Sequence, residues 1–301
     1  MSLENLKSRL SAAKIEYLIN EPMSCHTTFK IGGQADMFVR VSDQEELKTV
    51  LFLAKECSAP CFVLGKGSNL LVSDNGIEGV VISLENMNDI TVEGDSIICG
   101  AGASLRNVCI AARDASLSGL EFAYGIPGSV GGALFMNAGA YGGEMSQSVI
   151  EANTVDSLGN EKVFSLSEMK LGYRTSVFKG TDLVITKIKL KLTHGERNEI
   201  KSKMDDFFSR RKDKQPLECP SAGSTFKRPE GYFAGALIEK NNLKGMSVGA
   251  AQVSEKHAGF IINRGGATCS DVKSLIKNIQ NTVKLAEGVM LEPEVLFVGR
   301  E

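Results

Sequence analysis

A glycine-rich stretch near the middle of the chain restricts the possible folds most strongly. Residues 125–143 read GIPGSVGGALFMNAGAYGG, and seven of these nineteen residues are glycine. Glycine is costly to order, and it permits positive φ angles and close approach of the backbone. Flexible linkers lack apolar anchors, whereas this stretch contains Ile126, Leu134 and Met136. The pattern favours a backbone wrapped against a flat or anionic ligand with its N–H groups turned inward. The alternative is a pair of tight turns packed under a sheet.

Length, composition and charge place the chain among ordinary globular proteins. Its 301 residues suggest two or three compact units. A net charge of −2 argues against a general nucleic-acid or membrane-surface binder. The N-terminal residues form a mixed-charge amphipathic helix pattern without the features of a signal peptide. We therefore expect a cytoplasmic protein with no nucleic-acid partner and no membrane insertion.

Cysteine and histidine are arranged in a way that argues against a metal enzyme. The seven cysteines are scattered, and Cys57 and Cys61 have no second pair to complete a zinc site. The three histidines, His26, His194 and His257, lie far apart in the sequence. We expect free thiols, no bound metal and no Ser-His-Asp hydrolase.

Hydrophobic periodicity predicts an α+β protein. Residues 36–41 alternate like a strand, and Ser42 has capping-box spacing to Glu45 at the start of a helix. A charged helix over about residues 196–212 leads to the last part of the chain, which contains a strongly periodic helix over residues 271–286.

Two further glycine-rich turns support a large flat cofactor. They are Leu64–Leu71, which reads LGKGSNLL, and Gly100-Ala101-Gly102. Both lack the third glycine of G-x-G-x-x-G and the Gly-Lys-Ser/Thr ending of the P-loop, so a Rossmann domain is disfavoured. The first turn offers successive backbone donors to a pyrophosphate, although an ordinary turn between strands fits equally well.

Three polar side chains are candidates for chemistry. Arg174 lies between an aromatic residue and small hydroxyls, where its guanidinium could bind a substrate carboxylate. Ser224 has no histidine close in sequence, so it could donate a proton only to a strongly basic acceptor such as an enolate. Glu294 leads the last strand-like run, and burial there would raise its pKa and suit it to proton donation. The alternatives are a surface arginine, a cap or turn serine, and a solvated glutamate at a strand end.

Taken together and in order, these stretches closely resemble the UDP-N-acetylenolpyruvoylglucosamine reductase family, FAD enzymes that complete UDP-N-acetylmuramate for peptidoglycan. The resemblance extends from about Thr27 to Glu294. The stretches that carry it are residues 27–33, 65–71, 126–141, 173–178, 223–229, 243–245 and 291–295.

The resemblance implies a fold and a division into domains. The fold would be a two-domain FAD-binding fold of the vanillyl-alcohol-oxidase type (PCMH type), followed by a C-terminal α+β substrate domain. Residues 1–92 would form the N-terminal helix and first FAD-binding subdomain, residues 93–213 the second, and residues 214–301 the UDP-sugar domain. Phe178 is followed almost directly by the next strand-like run, as in the shorter type of the family, which lacks an extra tyrosine-bearing loop.

The resemblance also implies cofactors and roles. NADPH would reduce FAD, and the flavin would then reduce the enol ether of the substrate. Arg174 would hold the enolpyruvyl carboxylate, Glu294 would assist there, and Ser224 would protonate the substrate carbon. The residues implied in FAD binding are Gly65, Lys66, Gly67, Ser68, Asn69, Leu70, Gly125, Ile126, Pro127, Gly128, Ser129, Gly131, Gly132, Asn137, Gly139, Ala140 and Tyr141.

Binding of the UDP-sugar and of the NADPH phosphate needs local cations, because the whole chain is nearly neutral. The candidates for the diphosphate, the uridine or the NADPH phosphate are Lys214, Lys227, Arg228, Lys244 and His257, and Tyr173 is a further candidate for binding the substrate. Some relatives have asparagine in place of Arg228 and glutamine in place of His257. We expect a monomer or a weak dimer. Two other functions stay open: an FAD-dependent oxidase or dehydrogenase of another small alcohol or hydroxy acid, and a non-catalytic nucleotide-sugar binder.

Overall fold

The computed structural model describes residues 3–301, and these divide into two compact units. The first contains the chain up to Ile19 together with Met37–Lys66 and Gly79–Arg210. The second contains Asn20–Asp36, Gly67–Glu78 and Arg211–Glu301. This division does not separate residues 1–92 from 93–213, and the three-domain organisation stays a prediction.

Helices and strands alternate irregularly along the chain. The helices are α1 (Leu3–Ala12), α2 (Gln44–Glu56), α3 (Leu105–Asp114), α4 (Val130–Phe135), α5 (Arg197–Lys214), α6 (Ala234–Lys240) and α7 (Cys269–Glu287). The strands of the first half are β1 (Tyr17–Pro22), β2 (Gln34–Arg40), β3 (Cys61–Leu64), β4 (Leu70–Val72), β5 (Ile77–Ser83), β6 (Ile90–Glu93), β7 (Ser96–Gly100), β8 (Leu117–Ser118), β9 (Gly139–Ala140) and β10 (Gly143–Glu144). Those of the second half are β11 (Val149–Val155), β12 (Glu161–Ser165), β13 (Val184–Lys191), β14 (Thr193–His194), β15 (Ser221–Ser224), β16 (Ser247–Val248), β17 (Ala251–Val253), β18 (Phe260–Asn263) and β19 (Leu296–Val298).

The first unit is built on two sheets. One is an antiparallel five-stranded sheet in the order β12-β11-β13-β7-β6. The other sheet has the strand order β1-β2-β5-β3, and β3 and β5 run parallel in it. Strand β3 belongs wholly to the first unit, whereas β1, β2 and β5 belong to it only in part. Helix α2 has an apolar face at helical spacing, which includes Leu47, Val50 and Ala54, and this face is buried in the core of the unit. A 3.6-residue period thus identified the buried face correctly.

The start of α2 differs from the sequence prediction by one residue. Asp43, rather than Ser42, is the N-cap, and its carboxylate accepts a hydrogen bond of 2.8 Å from the Glu46 amide. The Ser42 amide instead donates to the Glu46 carboxylate at 2.7 Å. The prediction that Ser42 and Glu45 form the capping box was wrong, because Asp43 has a stronger acceptor with the same reach.

The second unit contains a four-stranded sheet in the order β15-β18-β17-β16 and a parallel pair formed by β4 and β19. The apolar stripe predicted for α7 is buried in its core, and Thr268 and Asp271 form a capping box at the start of that helix. Asp74 adds two more bonds there, because its carboxylate accepts from the amides of Cys269 and Ser270 at 2.7 and 3.0 Å. Among residues 3–301, no helix has both the length and the apolar character that crossing a bilayer requires.

Candidate active site

The glycine-rich segments of the first unit converge in space. The amides of Val130 and Gly131 donate to the carbonyls of Ala103 and Ala101, each at 2.9 Å. Gly65 packs against the same place, since a Cβ atom on it would lie 2.5 Å from Ser129 Oγ. Three turns that are separate in sequence therefore form one wall, joined by backbone hydrogen bonds and by the packing of Gly65 against the Ser129 side chain. We call residues 65–66, 100–102 and 125–143 the glycine wall.

Ser129 fixes the middle of the glycine wall. It is buried and caps the short helix α4, where its hydroxyl accepts from the Gly132 amide at 3.2 Å. Its side chain therefore orders the wall, and its carbonyl accepts from the Ala133 amide at 2.9 Å.

A tight hairpin closes the C-terminal end of the glycine wall. Strands β9 and β10 pair through the two-residue turn Tyr141-Gly142, whose φ angles are +53° and +84°. Positive φ at both central residues is the signature of a type I′ turn. Tyr141 is 41% exposed and its ring stacks on that of Phe207.

A second tight turn presents Arg174. The amide of Gly172 and that of Thr175 each donate to the other residue's carbonyl, at 3.1 and 3.3 Å, which leaves Tyr173 and Arg174 at the tip. Arg174 has φ +54°, and its guanidinium lies 5.7 Å from the centre of the exposed Tyr173 ring. Its Nε atom is shielded from solvent. The planar guanidinium of an arginine is pre-organised to bind a planar anion such as a carboxylate.

Asn137 joins this turn to the glycine wall. Its side-chain amide donates to the Gly172 carbonyl at 3.1 Å, and its Oδ1 atom accepts from the Ser146 amide at 3.0 Å. The residue is 3% exposed and has φ +40°. The structure therefore gives the side chain of Asn137 two protein partners, and the connection positions the arginine turn.

In the second unit, the predicted acid and the predicted proton donor are brought together. The Glu294 amide donates to the carbonyl of Thr225, the residue after Ser224, at 2.8 Å. An isolated bridge between Phe226 and Pro293 continues the pairing. Ser224 and Glu294 are both partly buried. Two segments that are far apart in sequence thus place a hydroxyl and a carboxyl residue on adjoining backbones.

The turn that follows β3 contributes to the same place in the second unit. Asn69 donates from its side chain to the Glu294 carbonyl at 3.2 Å, and its own carbonyl accepts from the Leu296 amide at 2.9 Å. Gly67 has φ +60° and accepts a hydrogen bond from the Thr28 amide at 3.2 Å. Gly67, Ser68, Asn69 and Leu70 therefore belong to this unit, whereas Gly65 and Lys66 belong to the first.

Three of the candidate substrate cations of the second unit, Lys227, Lys244 and Arg228, have protein partners. Lys227 pairs with Glu292 at 2.9 Å, and Lys244 pairs with Glu239 at 2.5 Å. Arg228 lies 4.0 Å from the centre of the exposed Phe233 ring. Exposed ion pairs of this kind are weak and can exchange for a ligand phosphate at small cost. Sequence reasoning missed Glu239, and it gave no role to Glu292 within the stretch of residues 291–295.

His257 differs from the other candidates because its ring is neutral. Its Nδ1 atom accepts from the Gly259 amide at 3.1 Å, and burial lowers its pKa below the ordinary value. A ring that accepts at Nδ1 carries its proton on Nε2. It is therefore a hydrogen-bond donor and not a counter-charge for a phosphate. Among the described residues, no group of three or more His, Cys, Asp or Glu side chains could hold a metal ion.

Comparison with known proteins agrees with this arrangement. Residues 35–165 match the family model of an FAD binding domain, and residues 215–298 match that of the C-terminal domain of UDP-N-acetylenolpyruvoylglucosamine reductase. The UDP-N-acetylenolpyruvoylglucosamine reductase of Clostridium botulinum strain Hall is 50% identical over 284 residues, which are 94% of this chain and 93% of the relative. The chain belongs to the UDP-N-acetylenolpyruvoylglucosamine reductase family.

Two further relatives of the reductase family agree. The Clostridium perfringens strain SM101 enzyme is 50% identical over 283 residues, covering 94% of this chain and 93% of the relative. The crystal structure of the Thermus caldophilus reductase superposes with a TM-score of 0.81 at 35% identity, covering 94% of this chain and 98% of the other. The predicted family is confirmed, as are the α+β fold with FAD-binding and C-terminal domains, the FAD cofactor and the oxidoreductase class. The assignments of individual site residues stay predictions.

Proposed function

We propose that the protein reduces UDP-N-acetylenolpyruvoylglucosamine to UDP-N-acetylmuramate, with FAD as cofactor and NADPH as reductant, in the synthesis of peptidoglycan precursors. The observation that supports this most directly is the hydrogen bond from the Glu294 amide to the carbonyl of Thr225, the residue after Ser224, in the second unit. It adjoins an acid and a hydroxyl in the part of the chain that matches the reductase C-terminal domain.

The glycine wall fits FAD. Its segments contain no aspartate or glutamate that would repel a diphosphate, and Gly65 packs closely on Ser129. Backbone donors in such turns suit an extended anionic ligand. We propose that residues 1–92 and 93–213 together hold FAD and that residues 214–301 hold the UDP-sugar.

When bound, the flavin supplies the hydride chemistry, and the protein supplies orientation and stabilisation of charge. Reduction of an enol ether requires its conjugated carboxylate to carry developing negative charge. We assign Arg174 to bind that carboxylate through a two-pronged contact and to stabilise the enolate. Glu294 assists at the same carboxylate.

Ser224 completes the reaction by donating its hydroxyl proton to the substrate carbon next to the carboxylate. A serine hydroxyl is a weak acid, and the enolate is basic enough to accept its proton. Lys214, Lys227, Arg228 and Lys244 are proposed to bind the phosphates. The neutral His257 is better suited to donate to an uncharged oxygen of the nucleotide.

The two half-reactions test this assignment separately. In anaerobic stopped-flow experiments, the 450 nm absorbance follows flavin reduction by NADPH and then reoxidation by the enolpyruvyl UDP-sugar. We expect Ser224→Ala to leave reduction within about twofold and to slow reoxidation about 10²–10⁴-fold, the usual contribution of a proton donor. Ser221→Ala, on the same strand, is the matched control.

Three outcomes would refute the proposal. The first is an equal loss of both half-reactions in Ser224→Ala. The second is a flavin-replete wild-type protein whose reduced flavin is not reoxidised by the enolpyruvyl sugar. The third is reoxidation of the flavin only by the redox couple of a small alcohol or hydroxy acid. A cytoplasmic location and a monomeric or weakly dimeric state also stay predictions. Cell fractionation and light scattering check them.

A further inference from the structure

Two consecutive phenylalanines on α5 contact the tyrosines at the two ends of the longest segment of the glycine wall. The ring of Phe207 stacks on Tyr141, with centroids 4.8 Å apart and planes 1° from parallel. The ring of Phe208 meets Tyr124 edge to face, with centroids 5.8 Å apart. Tyr124 directly precedes Gly125, and Tyr141 lies in the closing hairpin.

The backbone of Tyr141 needs an external support. Its φ of +53° lies in the left-handed region, which bulky residues avoid and in which type I′ turns use asparagine, aspartate or glycine. Such a conformation persists only where the surroundings determine it, and it is concentrated at functional sites. The stack on Phe207 is the contact that fixes the ring of Tyr141, and offset-parallel rings at this distance attract each other.

Phe207 lies at the edge of the core of the first unit and packs against it. The buried residues of α5 are Ile200 and Met204, about two turns and one turn before Phe207, whereas Phe207 is only partly buried. Arg210 lies 6.0 Å from the centre of its ring, on the solvent-exposed part of the helix. An aromatic side chain at this position therefore contacts the hairpin through Tyr141 as well as the core of the unit.

We propose that Phe207 is a positioning residue that holds Tyr141, and with it the hairpin of residues 139–144, in the shape that binds FAD. The inference rests on the proposed function, because it takes Tyr141 and this hairpin as part of the FAD site. Phe207 acts through Tyr141, and neither ring needs to react.

The test measures FAD binding by the apoprotein, without substrate or NADPH. The dissociation constant comes from quenching of flavin fluorescence, and the near-UV circular dichroism reports tyrosine packing in a chain without tryptophan. We expect Phe207→Leu to weaken FAD binding about fivefold, equivalent to ~1 kcal/mol, and to reduce the tyrosine signal. Phe207→Tyr keeps a ring and should behave as wild type.

Two comparisons separate positioning from a general structural role. Phe52→Leu removes a 47% exposed ring from α2 of the same unit, and it should leave FAD binding unchanged. In a Tyr141→Leu background, Phe207→Leu should have less than a twofold further effect, because its partner is already absent. If Phe207→Leu does not fold, Phe207→Met replaces it in both backgrounds.

The proposal is overturned if Phe207→Leu binds FAD as tightly as wild type. It is overturned as well if Phe207→Leu weakens FAD binding equally in the wild-type protein and in the Tyr141→Leu variant. It is also overturned if the wild-type apoprotein does not bind FAD. If the variants rank in FAD affinity as expected but the wild-type protein does not reduce the enolpyruvyl sugar, the proposed function alone is refuted.

Discussion

Replacing Asn137 by alanine tests how the arginine turn is held to the glycine wall. The substitution removes the 3.1 Å bond to the Gly172 carbonyl and the 3.0 Å bond from the Ser146 amide, at a site 3% exposed to solvent. Each bond contributes about 1 kcal/mol. Alanine also tolerates φ of +40° less well than asparagine, which adds about 1 kcal/mol.

The expected loss in the free energy of unfolding is therefore ~3 kcal/mol. A change of this size lowers the melting temperature by about 6–12 °C in a protein with units of this length. Urea unfolding followed by circular dichroism measures the free energy, and a thermal scan measures the melting temperature. We also expect slower flavin reoxidation, because the loosened turn carries Arg174.

Two variants serve as controls. Asn88→Ala removes an exposed bond of 3.0 Å to the Glu85 carbonyl, and it should cost about 0.5 kcal/mol or less. Asn137→Gly removes the same bonds as Asn137→Ala without the strain at positive φ, so it should be the more stable of the two. The reasoning is refuted if Asn137→Ala is destabilised by no more than Asn88→Ala.

Three further substitutions test other parts of the structure. Asp74→Ala removes both carboxylate bonds from the first amides of α7 and should cost about 1–2 kcal/mol in urea unfolding. Gly65→Ala places a Cβ atom 2.5 Å from Ser129 Oγ and should displace that hydroxyl from its capping bond, with weaker FAD binding in fluorescence titration. For His257, the bond from the Gly259 amide to Nδ1 predicts a neutral ring with its proton on Nε2 in nitrogen NMR spectra at pH 7. Burial makes the pKa of His257 lower in the folded state than in the unfolded chain. The contribution of His257 to stability is therefore present above pH 6.5 and is lost as the pH falls through the folded pKa. His257→Gln should remove that part of the loss of stability in acid.

Each of these expectations has a clear counter-result. Unfolding of Asp74→Ala at the wild-type urea concentration would show that the capping box alone stabilises α7. Wild-type FAD affinity in Gly65→Ala would show that Ser129 can move without disturbing the glycine wall. A charged His257 ring at pH 7, or a proton on Nδ1, would contradict the assigned role as a neutral donor.

Local sequence patterns predicted much of the secondary structure. The apolar stripes of α2 and α7 are buried as the 3.6-residue period indicates. Helix starts were less certain, because Ser42 and Asp43 are both good caps and only the hydrogen bonds distinguish them. The same limit applies to Ser104, which is the N-cap residue of α3 but makes no capping bond through its side chain.

The sequence alone determined the family, the order of its motifs and the presence of glycine where backbones must approach closely, because these properties reside in short stretches. Only the tertiary structure decided which stretches meet. Asn137 bonds to a turn 35 residues away, and Asn69 bonds to the carbonyl of Glu294 across 225 residues. The stack of Phe207 on Tyr141 likewise joins two segments with no shared motif. Contacts of this kind depend on how sheets and helices pack, and a local pattern of residues does not specify that packing.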